Sequence, residues 1–164
     1  MNIIVCVKQV PASNQVLLDP ITNTIIREGA AAILNPFDAF AVEEAVRLKE
    51  KHGCRVAALC MGIPAAAEVL RETVALGADR ACLLSDPAFA GADTLATAYA
   101  LSRGVIALGS ADLIICGKMA TDGDTAQVGP MLAEMLDIPH ITDIAEIVEY
   151  GEQELLCHKL GDDG

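Results

Sequence analysis

The residues best suited to chemistry lie between Gly117 and Pro130, in the run GKMATDGDTAQVGP. Its three glycines, two threonines and one lysine suit a phosphate. Small residues let the backbone approach a ligand closely, and Lys118 can supply a cation. Asp122 and Asp124 do not suit direct contact with an anion, so they read as loop caps or as acceptors for sugar hydroxyls. An apolar run, Asp112-Leu113-Ile114-Ile115-Cys116, precedes the segment and reads as a buried parallel strand. Met131 to Leu136 follows and reads as a helix. Strand, glycine-rich loop, then helix is how open α/β sheets present ligand sites at strand carboxyl ends, with the unpaired N–H groups of the helix start aimed at the anion. The competing reading gives Gly123 and Gly129 to turn geometry and Asp122 and Asp124 to helix capping. Lys118 and Lys8 stay open between a phosphate, an aspartate partner and solvent.

Such a loop needs a sheet to carry it. Ile3 to Val7 is a β-branched run of the central parallel-strand type, followed by Lys8-Gln9-Val10-Pro11 as a loop. Val16-Leu17-Leu18-Asp19-Pro20 and Asn23-Thr24-Ile25-Ile26-Arg27 flank a turn and predict a small N-terminal hairpin. Asn35-Pro36-Phe37-Asp38 predicts a helix start, with Asn35 as N-cap and Pro36 in the first helical position. Ala39, Val42, Ala45, Val46 and Leu48 then form its apolar face, and Gly53 ends it. Arg55–Cys60, Ala81–Leu84 and Leu113–Cys116 are the next strands, separated by helices over Ala65–Leu76 and from Asp93 or Thr94 to about Leu108. A fifth strand is expected to start at Pro139-His140-Ile141-Thr142. Ile144–Tyr150 and Glu154–Lys159 read as an antiparallel pair around Gly151. The alternation predicts a single doubly wound α/β domain over 1–164: a mostly parallel, Rossmann-like sheet of adenine-nucleotide-binding type, with helices on both faces. The loops after the strands then gather on one sheet edge, with those after the first and fourth strands as the strongest pair. The ending Gly161-Asp162-Asp163-Gly164 reads as a truncation.

Composition narrows the function. Apolar residues make up 53% of the 164, without a run near the ~18 that crosses a bilayer. A formal charge of −12 opposes nucleic-acid backbones, and 3% aromatics with no Trp argues against base-stacking platforms. The six cysteines lie mostly in strand-like runs without a CxxC pair, as small buried hydrophobes in a reducing compartment, so no metal site is expected. The start, MNIIVCVK, enters a strand directly, and the expected location is the cytoplasm. His52, His140 and His158 are scattered, and neither GxxxxGK[ST] nor an early GxGxxG occurs. No catalytic residue is expected: the chain reads as a binder, not an enzyme.

Taken together, the segments VCVKQVP (5–11), NPFDAFAVEEAVRLKE (35–50), ALGADR (75–80) and GKMATDGDTAQVGP (117–130) make the chain resemble the β subunit of electron transfer flavoprotein, in that family's order. The resemblance implies an electron-transport subunit that pairs with an α subunit around a shared FAD. It implies service to acyl-CoA or related flavin dehydrogenases, as in fatty acid oxidation, without membrane insertion. It also implies AMP in the subunit's own cleft, or a second FAD in the bifurcating form of anaerobes, where NADH would be the donor. The nucleotide contacts it implies are Cys6, Asn35, Pro36, Phe37, Asp38, Met61, Gly117, Lys118, Met119, Ala120, Thr121, Asp122, Gly123, Asp124, Thr125, Ala126, Gln127 and Val128. At Met61 many relatives carry a small residue or a cysteine, which implies a backbone contact there. Family members continue for roughly a hundred residues more, so docking segments cannot be placed on this chain. The rival is a free-standing ATP- or AMP-binding module of universal-stress type, which shares the sheet and a glycine-rich loop after the fourth strand.

Overall fold

The structure is a computed structural model that describes residues 1–12, 32–151 and 154–161. Four parallel strands form its centre: β1 (Asn2–Val7), β4 (Arg55–Met61), β5 (Arg80–Leu84) and β6 (Leu113–Cys116). Their spatial order is β5-β4-β1-β6. From β1 the chain therefore winds outward through β4 to β5, then returns across the sheet to β6 on the other side of β1. That reversal puts a topological switch point between β1 and β6, where a crevice opens beyond the strand ends.

Strand alternation builds two cores. Ile3, Val5 and Val7 of β1, with Val56, Ala58 and Cys60 of β4, meet helices α1 (Pro36–His52) and α2 (Ala67–Leu76). Ile4, Cys6 and Leu59 point the opposite way, to helices α3 (Thr94–Leu108) and α4 (Val128–Leu136). Both faces of the sheet are covered, which is why its strands read as unbroken apolar runs. The doubly wound α/β class expected from the sequence is the observed one. Helix α1 ends at Gly53, whose φ of 69° is left-handed and costs a glycine nothing sterically.

Two expectations change. The hairpin expected over Val16–Arg27 lies outside the described residues. Gln9–Pro11, read as a loop, forms strand β2 and pairs antiparallel with β3 (Ala32–Leu34). Pro139–Thr142 is irregular rather than a strand. Pro139 has no N–H for a ladder, and the chain takes a left-handed step at Asp143 (φ 58°) before β7 begins. Strands β7 (Ile144–Tyr150) and β8 (Leu155–Lys159) form the antiparallel pair expected around Gly151. This pair sets Ile147 and Tyr150 against the α1 side of the core, and Arg47 donates to the Ile147 carbonyl at 2.9 Å. No helix among the described residues is long and apolar enough to cross a membrane.

Candidate functional site

The site is tied together by two side chains at the start of α1. Asn35 occupies the N-cap position, yet its side chain makes no capping bond and is 1% exposed. Its Nδ2 instead donates to the Met119 carbonyl at 2.8 Å, and its Oδ1 accepts from the Thr121 amide at 3.3 Å. The Asn35 amide donates to the Lys8 carbonyl at 2.9 Å. One buried residue thus holds the loop after β1 against the loop after β6. The capping expectation for Asn35 is correct in position and wrong in partner, because the β6 loop passes close enough to take the amide.

Asp38 does the same from one turn further on. Its Oδ2 accepts from the Lys8 amide at 2.8 Å, and its carboxylate lies beside the Gly117 amide and the Asn35 side chain. Burial dominates its ionisation and pushes the pKa up from 3.8 to about 6, with those donors pulling the other way. Gly117 passes so close to this turn that a Cβ there would sit 2.3 Å from Asp38 Oδ1 and 2.7 Å from the Phe37 carbonyl carbon. Glycine is therefore the one residue that fits at the exit of β6.

Beyond this knot the loop turns back on itself. Gly123 and Asp124 amides donate to the Ala120 carbonyl at 3.2 and 2.8 Å, and Asp124 and Ala126 take positive φ of 48° and 52°. Thr94, at the start of α3, donates its hydroxyl to Gln127 Oε1 at 3.1 Å, so a second helix start borders the loop. The two lysines settle on carboxylates: Lys8 Nζ lies 2.7 Å from Asp122, and Lys118 Nζ lies 2.7 Å from Asp143. Both pairs are partly exposed, so each contributes little to stability and can be exchanged for another anion. Among the described residues, no hydrogen bond engages the amides of Thr125, Ala126 and Gln127, which lead into α4. These donors at a helix start are the chemical complement of a phosphate.

The sequence-derived site residues fall into three places. Asn35, Asp38 and the loop from Gly117 to Val128 converge on the switch point; Pro36 is exposed at the first turn of α1, and Phe37 is half-buried beside Gly117. Cys6 lies at the end of β1, directly opposite Cys116 of β6, and faces the α3 and α4 side. Met61 ends β4, on the far side of β1 from β6, outside the hydrogen-bonded knot. Thr94 and Cys116 belong to the same neighbourhood, although motif reading did not select them as site residues, and Lys8, left open in the sequence, lies there too. Strand order was the signal required, since it alone tells which strand ends are neighbours. No cluster of metal-ligating side chains occurs among the described residues.

The comparisons with known proteins show the family. The model of the electron transfer flavoprotein domain family matches residues 22–161. The chain is 50% identical over 162 residues to "Electron transfer flavoprotein subunit beta" of Thermoanaerobacterium thermosaccharolyticum, covering 99% of this chain and 62% of that protein. It is 51% identical over 152 residues to "Protein FixA" of Azotobacter vinelandii, covering 91% of this chain and 54% of the relative. It is 47% identical over 165 residues to "Caffeyl-CoA reductase-Etf complex subunit CarD" of Acetobacterium woodii, covering 100% and 63%. The chain spans less than two thirds of the length of these relatives, and none of them is of the universal-stress type. A doubly wound sheet with its glycine-rich loop at the switch point, matched to that family model over residues 22–161, belongs to the electron transfer flavoprotein family.

Proposed function

We propose that this chain is the nucleotide-binding part of an electron-transfer β subunit. In this reading it pairs with an α subunit around a shared FAD, accepts electrons from acyl-CoA or related flavin dehydrogenases, and performs no bond chemistry of its own. The crevice between β1 and β6 holds the adenylate part of AMP or of a second FAD. The observation that carries the reading is the convergence of the two loops, tied by Asn35 and Asp38, on a helix start whose leading amides are uncommitted.

The donor set fits such a ligand. Backbone amides of Thr125 to Val128 would take the phosphate, helped by the positive end of α4. Lys8 or Lys118 would trade its aspartate for the phosphate, while Asp122 and Asp124 would be left to accept from ribose hydroxyls. Asn35, Asp38 and Gly117 would act by placing the loop rather than by touching the ligand. A bound flavin would supply the redox chemistry; the protein's part is to orient it and hold it within reach of the next centre.

The family resemblance implies either AMP or a second FAD in this crevice. The experiment is to copurify the protein with its α partner and count nucleotides per heterodimer after denaturation. Two flavins support the FAD reading and one flavin with one AMP supports the other. A heterodimer with a single flavin and no further nucleotide refutes the proposed cleft.

A further inference from the structure

Cys6 and Cys116 are register partners on the adjacent parallel strands β1 and β6, at the last rung before the two site loops begin. Both side chains face the α3 and α4 side of the sheet, side by side on the same rung. Neighbouring strands lie about 4.8 Å apart, inside the Cα separation of about 4.4–6.8 Å that a disulfide spans. No other pair of cysteines shares these features. Cys60 pairs in register with Val7 and Leu83, Cys82 with Leu59, and Cys157 with Ile147. Cys60, though one strand away, points to the opposite face.

From this juxtaposition we propose that Cys6 and Cys116 form a reversible dithiol–disulfide site at the switch point, oxidised by low-molecular-weight disulfides of the glutathione class. The two sulfurs have different parts. Cys116 is half-buried and borders the crevice, so a small disulfide reaches it first. Cys6 is 8% exposed and is reached only through its neighbour. The adjacent Cys116 thiol, then burial, hold the Cys6 thiol protonated well above the ordinary thiol range, which keeps it from reacting directly with solvent species.

The balance is that of ordinary exchange. Cys116 loses its proton to solvent and its sulfur attacks one sulfur of RS–SR, breaking that bond and releasing RS⁻. Cys6 then loses its proton and attacks the Cys116 sulfur of the mixed disulfide, releasing a second RS⁻. The protein dithiol is oxidised by two electrons, and the added disulfide is reduced to two thiols. The new bond ties β1 to β6 at the rung from which the Lys8 and Gly117 loops depart. A cross-link between parallel neighbours departs from relaxed disulfide geometry, so the bond is expected to be readily reduced again.

Trypsin makes the test direct, because Met1–Lys8 carries Cys6 alone and Gly104–Lys118 carries Cys116 alone. The purified protein, kept in whatever complex it is isolated, is incubated with oxidised glutathione, quenched with an alkylating agent, digested and read by mass spectrometry. The expected product is a Met1–Lys8/Gly104–Lys118 cross-link that forms about tenfold or more faster in native than in urea-unfolded protein, since the fold supplies the proximity. It disappears on addition of a dithiol reductant. Cys6→Ala should leave Cys116 trapped as its glutathione adduct where the parent gives the cross-link, a replacement that a packing role for Cys6 does not produce. Cys116→Ser should leave Cys6 unmodified. Adducts on Cys82 or Cys157 with both Cys6 and Cys116 still alkylated would overturn the proposal, as would equal rates in native and unfolded protein. None of these readouts requires bound nucleotide, so they stand or fall apart from the nucleotide reading.

Discussion

Replacing Gly117 by alanine tests the claim that the switch point is closed by contact rather than by loop composition. The added methyl would sit 2.3 Å from Asp38 Oδ1, 2.7 Å from the Phe37 carbonyl carbon and 2.9 Å from the Asp38 amide nitrogen. The carboxylate oxygen can rotate away, but the other two atoms are backbone in the first turn of α1. Relief therefore requires either the helix start or the end of β6 to shift. Overpacking of this kind costs about 1–3 kcal/mol. A shift also disturbs the 2.8 Å bond from the Lys8 amide to the buried Asp38 carboxylate, of a class contributing about 1.5–3 kcal/mol. The expected loss is about 3–5 kcal/mol, a large part of the ~5–15 kcal/mol of a typical domain. Urea denaturation followed by circular dichroism measures it. Gly123→Ala is the matched control: nothing lies within 4 Å of its Cβ position, so the change should stay within about 0.5 kcal/mol. If Gly117→Ala also stays within about 0.5 kcal/mol of the parent, the close approach described here does not constrain the fold.

Other outcomes follow from the same network. Asn35→Ala leaves the partly buried Met119 carbonyl and Thr121 amide without a partner, and should lose about 2–4 kcal/mol in the same denaturation assay. A milder change, with the loop amides still protected from hydrogen exchange, would argue against Asn35 as the tie. Asp38 has its folded pKa raised from 3.8 to about 6, so its relative stabilisation is complete below about pH 4 and is lost as pH rises through 6. Against Asp38→Asn, the parent should therefore lose up to about 3 kcal/mol between pH 4 and pH 7; parallel stability curves would refute the buried-carboxylate assignment. Lys8→Met removes a partly exposed ion pair with Asp122 and should cost less than about 1 kcal/mol, whereas calorimetric affinity for AMP should fall about tenfold if Lys8 moves to the phosphate. Unchanged affinity would leave phosphate binding to the amides and Lys118. Gly104→Ala presses a methyl 2.8 Å from Leu84 Cδ1 and 3.0 Å from Leu59 Cδ1, both flexible side-chain ends, and should cost about 1–3 kcal/mol by thermal melting. A loss as large as that of Gly117→Ala would mean that these leucines cannot move aside.

The sequence by itself determined the class and the types of the core strands and helices. Ile3–Val7, Arg55–Cys60 and Leu113–Cys116 are unbroken apolar runs, and such runs are stable as strands only when both sheet faces are covered. Gly53 and Asp93 marked helix ends because left-handed backbone and unpaired amides have few chemical solutions. The sequence also pairs the loops after the first and fourth strands, and what tertiary structure alone decided was which side chains meet there. Asn35 reads locally as a helix cap, yet its amide side chain is drawn to Met119 and Thr121, residues more than eighty positions away. Lys118 reads equally as a phosphate ligand, an aspartate partner or a solvated cation, and it rests on Asp143. Cys6 and Cys116 become neighbours because β6 returns to the far side of β1. Short-range sequence carries propensity and periodicity, which act over one or two turns of chain. The order of strands in a sheet is settled by burial summed over the whole domain, and the crevice between β1 and β6 exists only as a consequence of that order.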